Sequence, residues 1–434
     1  MRWLALPVTL LMLSTAAFGQ TQPMFRGDPA HRGASAEQGP RQLHGVRWKF
    51  VTGGRIVSSP VWHDGTVYLG SDDGNLYAVD GLTGRQRWKY VTGGPVSSTP
   101  AVAKGLVYFG SYDGRFYAVS ADTGKLRWRF ETGGERRFEA KGLHGVQPKS
   151  QTIADPFDVF LSSPVVAEGR VFFGSGDGNV YALDAASGLL RWKFQTGDVV
   201  HASPAYSEGV LYFGSWDSFF YALDAATGRE KWRFKGGEDP FIHNQVGFQS
   251  SPAVAGGVVY AGCRDSNLYA IDAATGKEKW RFNNEGSWVV ASPAVAQGKV
   301  VFATSDSSLL HVVDAGSGKP LLRQDVKAYV FSSPTVAGDV VYVGVLNGTL
   351  EARDLNTGQL LWDFKTDASQ QNRGWVLTAD RKFNGPMLFY SRWRETPLAA
   401  VERQFSIGSF FSTPLVVGSM VYIGSADGSL YALS

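Results

Sequence analysis

The sequence predicts an all-β fold, an eight-bladed β-propeller of four-stranded blades, and three observations carry that expectation. A hydroxyl-Pro marker recurs eight times, a hairpin of β-branched and aromatic residues follows each marker, and the two chain ends read as pieces of one blade. The markers fall at Pro60, Pro100, Pro164, Pro204, Pro252, Pro293, Pro334 and Pro414, at intervals of 40, 64, 40, 48, 41, 41 and 80 residues. A unit of about 40 residues is the size of a propeller blade.

Within each unit, runs such as "VYLGSDDGNLYAVD" from Val67 and "VYFGSYDGRFYAVS" from Val107 place two strands around an Asp-Gly-type turn, the strongest short hairpin signal. Blades four to six replace the glycine with Ser218, Ser266 and Ser308, which a tight turn tolerates. The acidic turn invites a calcium reading, but a calcium loop needs several oxygen ligands at fixed spacing and a bidentate glutamate, which these turns lack. Next comes a glycine with tryptophan four residues later, as in Gly84 with Trp88, Gly124 with Trp128 and Gly228 with Trp232. Glycine permits a positive φ, and the indole offers a large apolar plate between blades. Blade six has Leu322 in place of the indole. The eighth unit runs out at Ser434 after three strands, while an orphan "RWKF" around Trp48 precedes the first. That N-terminal strand is expected to complete the last blade, closing the ring and protecting its sheet edges.

A chain of 434 residues, 44% hydrophobic and 19% charged, buries a large core. Its net charge of +3 gives no concentrated basic face for nucleic acid and no preference for anionic lipid. Residues 1–19 read as a signal peptide: Arg2, an apolar run from Trp3 to Leu13, then Ala17-Phe18-Gly19 as a small-x-small cleavage pattern. Export to the periplasm or beyond is expected, with a mature start near Gln20, an N-terminal extension over 20–43, the propeller over 44–434 and no transmembrane span. A single cysteine, Cys263, excludes an intramolecular disulfide, and no cysteine follows the cleavage point to take a lipid anchor. Cys263 stands where other blades have serine and is read as a half-buried structural thiol.

The pattern Ala-x-Asp-x-x-Thr-Gly-x-x-x-Trp, seen from Ala78 to Trp88 and from Ala222 to Trp232, resembles the tryptophan-docking motif of the pyrroloquinoline-quinone (PQQ)-type β-propeller superfamily. The resemblance covers nearly everything from Trp48 to Ser434. That superfamily includes quinoprotein alcohol dehydrogenases and the non-enzymatic outer-membrane assembly factor BamB, so the resemblance implies the fold far more firmly than the function.

Three insertions, at 135–160, 236–249 and 366–408, fall between the outer strand of one blade and the inner strand of the next, which puts them on one face with the Asp-Gly turns. Insertions gathered on one face of a repeat protein mark its binding surface. The first brings Arg136, Arg137 and His144; the second His243, Asn244 and Gln249; the third Arg373, Trp375, Arg392, Trp393 and Arg394. Arginine and tryptophan are the types that most often anchor interfaces. "TPLAAVERQF" reads as a short capped helix within the third. His201 occupies the strand entrance held by Val57 in blade one and Val290 in blade six, and is expected to face the channel near His144 and His243. Convergence of the three would suggest a metal, although their spacing is not local.

Two functions compete. The first is an exported, non-catalytic, cofactor-free and monomeric scaffold that binds an envelope protein or peptide. The alternative implied by the resemblance is a quinoprotein dehydrogenase using PQQ and calcium on alcohols or sugars, with Glu135, Glu139, Asp239 and Asn244 as conceivable acid and ligand groups. Those enzymes typically carry an adjacent cysteine pair by the quinone, which one cysteine cannot supply.

Overall fold

The computed structural model describes residues 21–35, 37–237, 247–372, 374–385 and 397–434. Residues 1–20, which include the segment expected to be a signal peptide, and the candidates Asp239, His243, Asn244, Arg373, Arg392, Trp393 and Arg394 lie outside those residues. Eight four-stranded antiparallel blades follow one another around an axis. In blade one, Val61–His63, Thr66–Ser71, Asn75–Asp80 and Gln86–Val91 run from the axis outward. Blade eight takes its inner three strands from Leu415–Val417, Met420–Gly424 and Ser429–Leu433, and its outer strand is Val46–Val51 from the N-terminus, paired antiparallel with Ser429–Leu433. The two middle strands of each blade are almost wholly buried, whereas outer strands alternate exposed and half-buried residues, as one solvated sheet edge requires.

Three repeated contacts explain the three sequence markers. Near the axis, the residue before seven of the eight prolines donates its backbone N–H to the hydroxyl of its counterpart in the next blade, from Ser59 to Thr99, Thr99 to Ser163, Ser163 to Ser203 and onward to Ser333, with Thr413 returning to Ser59, over 2.8–3.1 Å. Proline removes the next N–H, so the hydroxyl satisfies a buried donor that no strand ladder reaches. Between blades seven and eight Thr335 Oγ1 donates to the Pro414 carbonyl at 2.7 Å instead, beside a bond from Ser332 Oγ to the Ser412 carbonyl at 2.8 Å of the kind that Ser98, Ser162 and Ser250 also make to the next blade.

On the insertion face, the turn aspartate ties its own hairpin to the preceding blade. Asp113 Oδ2 accepts from Gly93 N at 2.8 Å and from the Tyr117 hydroxyl at 2.7 Å; Asp73, Asp177, Asp217 and Asp265 repeat the arrangement. These carboxylates are consumed as cross-blade staples. Ser218, Ser266 and Ser308 take positive φ values of 72°, 74° and 55°, so the hairpin turn survives the loss of glycine there.

At the rim, each tryptophan docks on the following blade. Trp88 Nε1 donates to the Ala121 carbonyl at 2.8 Å, and a Cβ added at Gly124, where φ is +67°, would sit 2.7 Å from the Trp88 ring. Gly84, Gly188, Gly228, Gly276 and Gly318 stand in the same relation to Trp48, Trp128, Trp192, Trp232 and Trp280. Trp362 instead donates to the carbonyl of Pro40 at 2.9 Å, in the N-terminal extension.

That extension is built into the ring. Residues 22–35 wind across the axis at the face opposite the insertions, their carbonyls accepting from the inner-strand amides of Trp62, Val102, Tyr206, Val254, Val295 and Val336 over 2.6–3.0 Å. Ala34–Ser35 pairs parallel with the inner strand of blade seven. Arg26 and His31 are buried there, and Arg26 donates to the carbonyls of Pro334 at 2.7 Å and Pro293 at 2.9 Å. Burial lowers Arg26 to about 9; burial, with Arg26 beside it, lowers His31 to about 3, so His31 is neutral.

Candidate functional site at the insertion face

At the other end of the axis the first insertion folds back as a plug. Its hairpin pairs Glu139–Lys141 with Thr152–Ala154, and the segment after it carries Asp155, Phe157, Asp158 and Val159 over the channel mouth. Eight inner-strand entrance positions ring that mouth: Val57, Ser97, Leu161, His201, Gln249, Val290, Phe331 and Phe411. The apolar members Val57, Val290, Phe331 and Phe411 pack with Phe157, Val159 and Phe405. The polar members hold the plug in register.

Asp155 and Arg264 are both fully buried, and Arg264 Nη1 donates to Asp155 Oδ2 at 2.5 Å. The guanidinium lies between the rings of Trp216 and Trp288, 4.2 Å from each, and also donates to Gln249 Oε1 at 2.7 and 2.9 Å. Gln249 in turn donates to the Phe157 carbonyl at 2.8 Å, and His144 Nε2 meets Asp155 Oδ1 at 3.0 Å. Burial works to raise Asp155, but Arg264, His144 and the Phe157 amide outweigh it and hold the carboxyl well below the usual carboxylate range. Asp158 accepts from His201 Nδ1 at 2.8 Å and from the Phe138 amide at 2.7 Å. Burial opposes charge on His201, yet Asp158, with Glu135 at 3.7 Å, raises it to about 10, so it is an imidazolium.

Sequence reasoning placed His144, His201 and Gln249 on a binding face; the fold makes them partners of the plug, His201 and Gln249 fully internal. His144 and His201 answer to different carboxylates and do not converge. Arg264, Trp216 and Trp288, which do most to hold the plug, were missed, because Arg264 sits in an ordinary hairpin turn position in sequence. Cys263, expected half-buried, is fully buried, and burial raises its thiol well above the usual value.

Arg136 is exposed and bonded to Asp198 at 2.8 Å. With Arg137, Arg55, Asp72 and Tyr112 it lines a cleft of about 320 Å³ on one side of the plug. On the other side, Phe157, Trp288, Tyr329, Phe331, His144 and Val401 line a second cleft of about 400 Å³. The third insertion supplies helix α1, Asp367–Gln371, capped by Thr366, and helix α2, Pro397–Phe405, the helix read from "TPLAAVERQF". Val401 and Phe405 pack on the plug, and Glu402 pairs with Arg55. Trp375 is 53% exposed beside the Arg403 guanidinium, 6.0 Å from its ring.

A quinone held with calcium would need converging oxygen donors. Among the described residues no group of three or more histidine, cysteine, aspartate or glutamate side chains is placed to hold a metal ion. At the plug, Asp155 and Asp158 are committed to Arg264, His201 and backbone amides, whereas Asp239 and Asn244 lie outside the described residues. No helix among the described residues is long and apolar enough to cross a membrane.

Comparison with known proteins agrees with this architecture. The family model described as outer membrane protein assembly factor BamB matches residues 34–154, 150–285 and 264–383. Among solved structures, BamB from Moraxella catarrhalis superposes with TM-score 0.64 at 15% identity, covering 90% of this chain and 97% of that one. The quinohemoprotein alcohol dehydrogenase from Comamonas testosteroni gives 0.69 at 16%, covering 95% and 80%. A computationally designed protein gives 0.63 at 17%, covering 92% and 99%. A search of curated proteins finds no sequence match. At these identities the structural likenesses establish the fold alone, while the family model spans most of the chain: this protein belongs to the PQQ-like repeat-propeller family that the BamB model represents.

Proposed function

We propose that the chain is an exported, non-catalytic propeller that binds a protein or peptide partner on its insertion face. The observation that carries this reading is how the mouth is used. The groups most able to do chemistry, Asp155, Asp158, His201 and Arg264, are buried in internal pairs that fix a plug, and two clefts open on either side of it. Such a surface is shaped to receive side chains of a partner. The family model, with its assembly-factor description, supports the same reading. The dehydrogenase alternative lacks a converging donor set among the described residues.

The test is site-specific photocrosslinking from Arg137 and Trp375 in the native cell envelope, beside a quinone- and calcium-dependent dye-linked oxidation assay on the pure protein. A discrete crosslinked protein with no oxidation is expected. Saturable quinone binding with turnover, and no crosslink from either position, would retire the scaffold reading.

A further inference from the structure

The cleft beside Arg136 holds more donors than acceptors. Arg55, Arg136 and Arg137 stand around it, and Val57, Val159, Phe405 and Phe411 give it an apolar wall. Two of the three arginines have carboxylates of their own: Arg55 pairs with Glu402, and Arg136 with Asp198 at 2.8 Å. Arg137 is exposed and forms no ion pair among the described residues; its guanidinium lies against the Tyr112 side chain. The Tyr112 hydroxyl lines the same cleft, is buried, and has no group to accept its proton. A guanidinium can only donate, so contact with Arg137 cannot supply the acceptor that the phenol lacks. Burial, with the charge of Asp158 behind it, raises the phenol far above its ordinary range, and Tyr112 stays a donor.

The acids of the cleft are used elsewhere. Asp72 accepts from Ser97 Oγ at 2.9 Å, and burial raises it although Arg55 and Arg137 work the other way. Glu135 accepts from Ser175 Oγ at 2.8 Å and from the Gly176 amide at 2.6 Å. An unpaired guanidinium and an unused phenol O–H over an apolar wall call for a ligand that accepts only, carries negative charge and has an aliphatic stem. We propose that this cleft is a specificity pocket for a glutamate side chain of the partner. The carboxylate accepts from Arg137 and from the Tyr112 hydroxyl, and the methylenes lie on Phe405 and Phe411. The inference rests on the partner-binding reading and names what that partner presents.

The experiment titrates the whole mature protein with N-acetyl-glutamate methylamide, followed by ligand-detected NMR and calorimetry. The controls are the glutamine analogue, which keeps the shape and loses the charge, and N-acetyl-norleucine, whose only carboxylate is a chain terminus. Saturable glutamate binding that weakens with added salt is expected, roughly tenfold weaker for either control. Arg137→Gln should weaken it roughly tenfold. Tyr112→Phe should weaken it several-fold while leaving the melting temperature equal or higher, because a buried hydroxyl without an acceptor has been removed. A role confined to packing would not give that combination. Glutamine binding as well as glutamate, a terminal carboxylate preferred to the side chain, variants indistinguishable from the parent, or no glutamate binding at millimolar concentration would each overturn the assignment. A discrete crosslinked partner alongside any of those results would leave the scaffold reading standing and remove the glutamate pocket alone.

Discussion

Removing Arg264 is the most revealing single perturbation of this protein. In Arg264→Met the aliphatic replacement still fills much of the space between Trp216 and Trp288, but Asp155, at 0% side-chain exposure, loses the guanidinium that donates to it at 2.5 Å. Breaking a buried pair in this way costs about 3–5 kcal/mol, because a charge is left without its partner. A per-residue unfolding entropy of roughly 2.1 cal/mol/K makes about 0.9 kcal/mol/K for a chain this long, so the expected fall in melting temperature is about 3–6 °C. The pH dependence gives the sharper signature. In the parent, Asp155 titrates below its unfolded value, so its stabilisation is present above pH ~4 and is lost as pH falls further. Without Arg264, burial dominates and the folded pKa moves above the unfolded one, so protonation relieves the variant. The deficit should therefore be largest near neutrality and narrow toward pH 4. Circular-dichroism melts from pH 4 to 8, with trypsin digestion at Arg136, Arg137, Lys141 and Lys149, would follow both the ring and the plug. If the variant melts like the parent at pH 7 and its insertion stays equally resistant, or if the deficit does not narrow in acid, then the pair does not hold the plug.

Other outcomes follow from the same geometry. His201, raised to about 10, stabilises fully below pH ~6.5 and loses that contribution as pH rises through 10, worth at most ~5 kcal/mol; His201→Gln should flatten the parent's loss of stability between pH 7 and 10 in urea titrations. Gly124→Ala meets both a φ of +67° and the Trp88 ring at 2.7 Å, so a loss of about 2–5 kcal/mol is expected, against about 1–2 kcal/mol for Ala at Gly105, where the positive φ of +75° is the cost and no atom lies within 4 Å; equal effects at the two sites would deny the docking contact. Deleting residues 44–54 removes the outer strand of blade eight and should produce unfolding or oligomers in light scattering, whereas an unchanged monomeric melt would contradict ring closure. Arg26→Met should be nearly neutral, within about 2 kcal/mol, since it removes a buried cation along with its two carbonyl contacts, while Arg26→Ala should be clearly worse because it leaves a void.

The blades were legible because every unit must solve the same local problem, and a problem solved eight times leaves a repeat. Asp113-Gly114, Gly124 and Trp128 announce a hairpin, a left-handed turn and a rim plate from their types and spacing alone. Their partners lie 20 to 64 residues away in the neighbouring blade, so the sequence shows the marker and not the bond it makes: Asp113 to Gly93, Ser59 to Thr99, Thr99 to Ser163. The insertions break the repeat, and with it the means of reading them. His201 and Gln249 look like two irregular entrance residues, and only the return of the first insertion across the mouth gives them Asp158 and Arg264 as partners.

The all-β class, the number of blades, the strand that closes the ring and the face on which the insertions emerge can all be read from residue order, because each depends on local periodicity and short turns. That residues 22–35 fill one end of the axis, that a plug fills the other, and that Arg264 lies between two tryptophans 48 and 24 residues away in sequence emerges from the folded ring alone. Those contacts join residues from separate blades and loops around a common axis, and no local pattern records which of them will meet there.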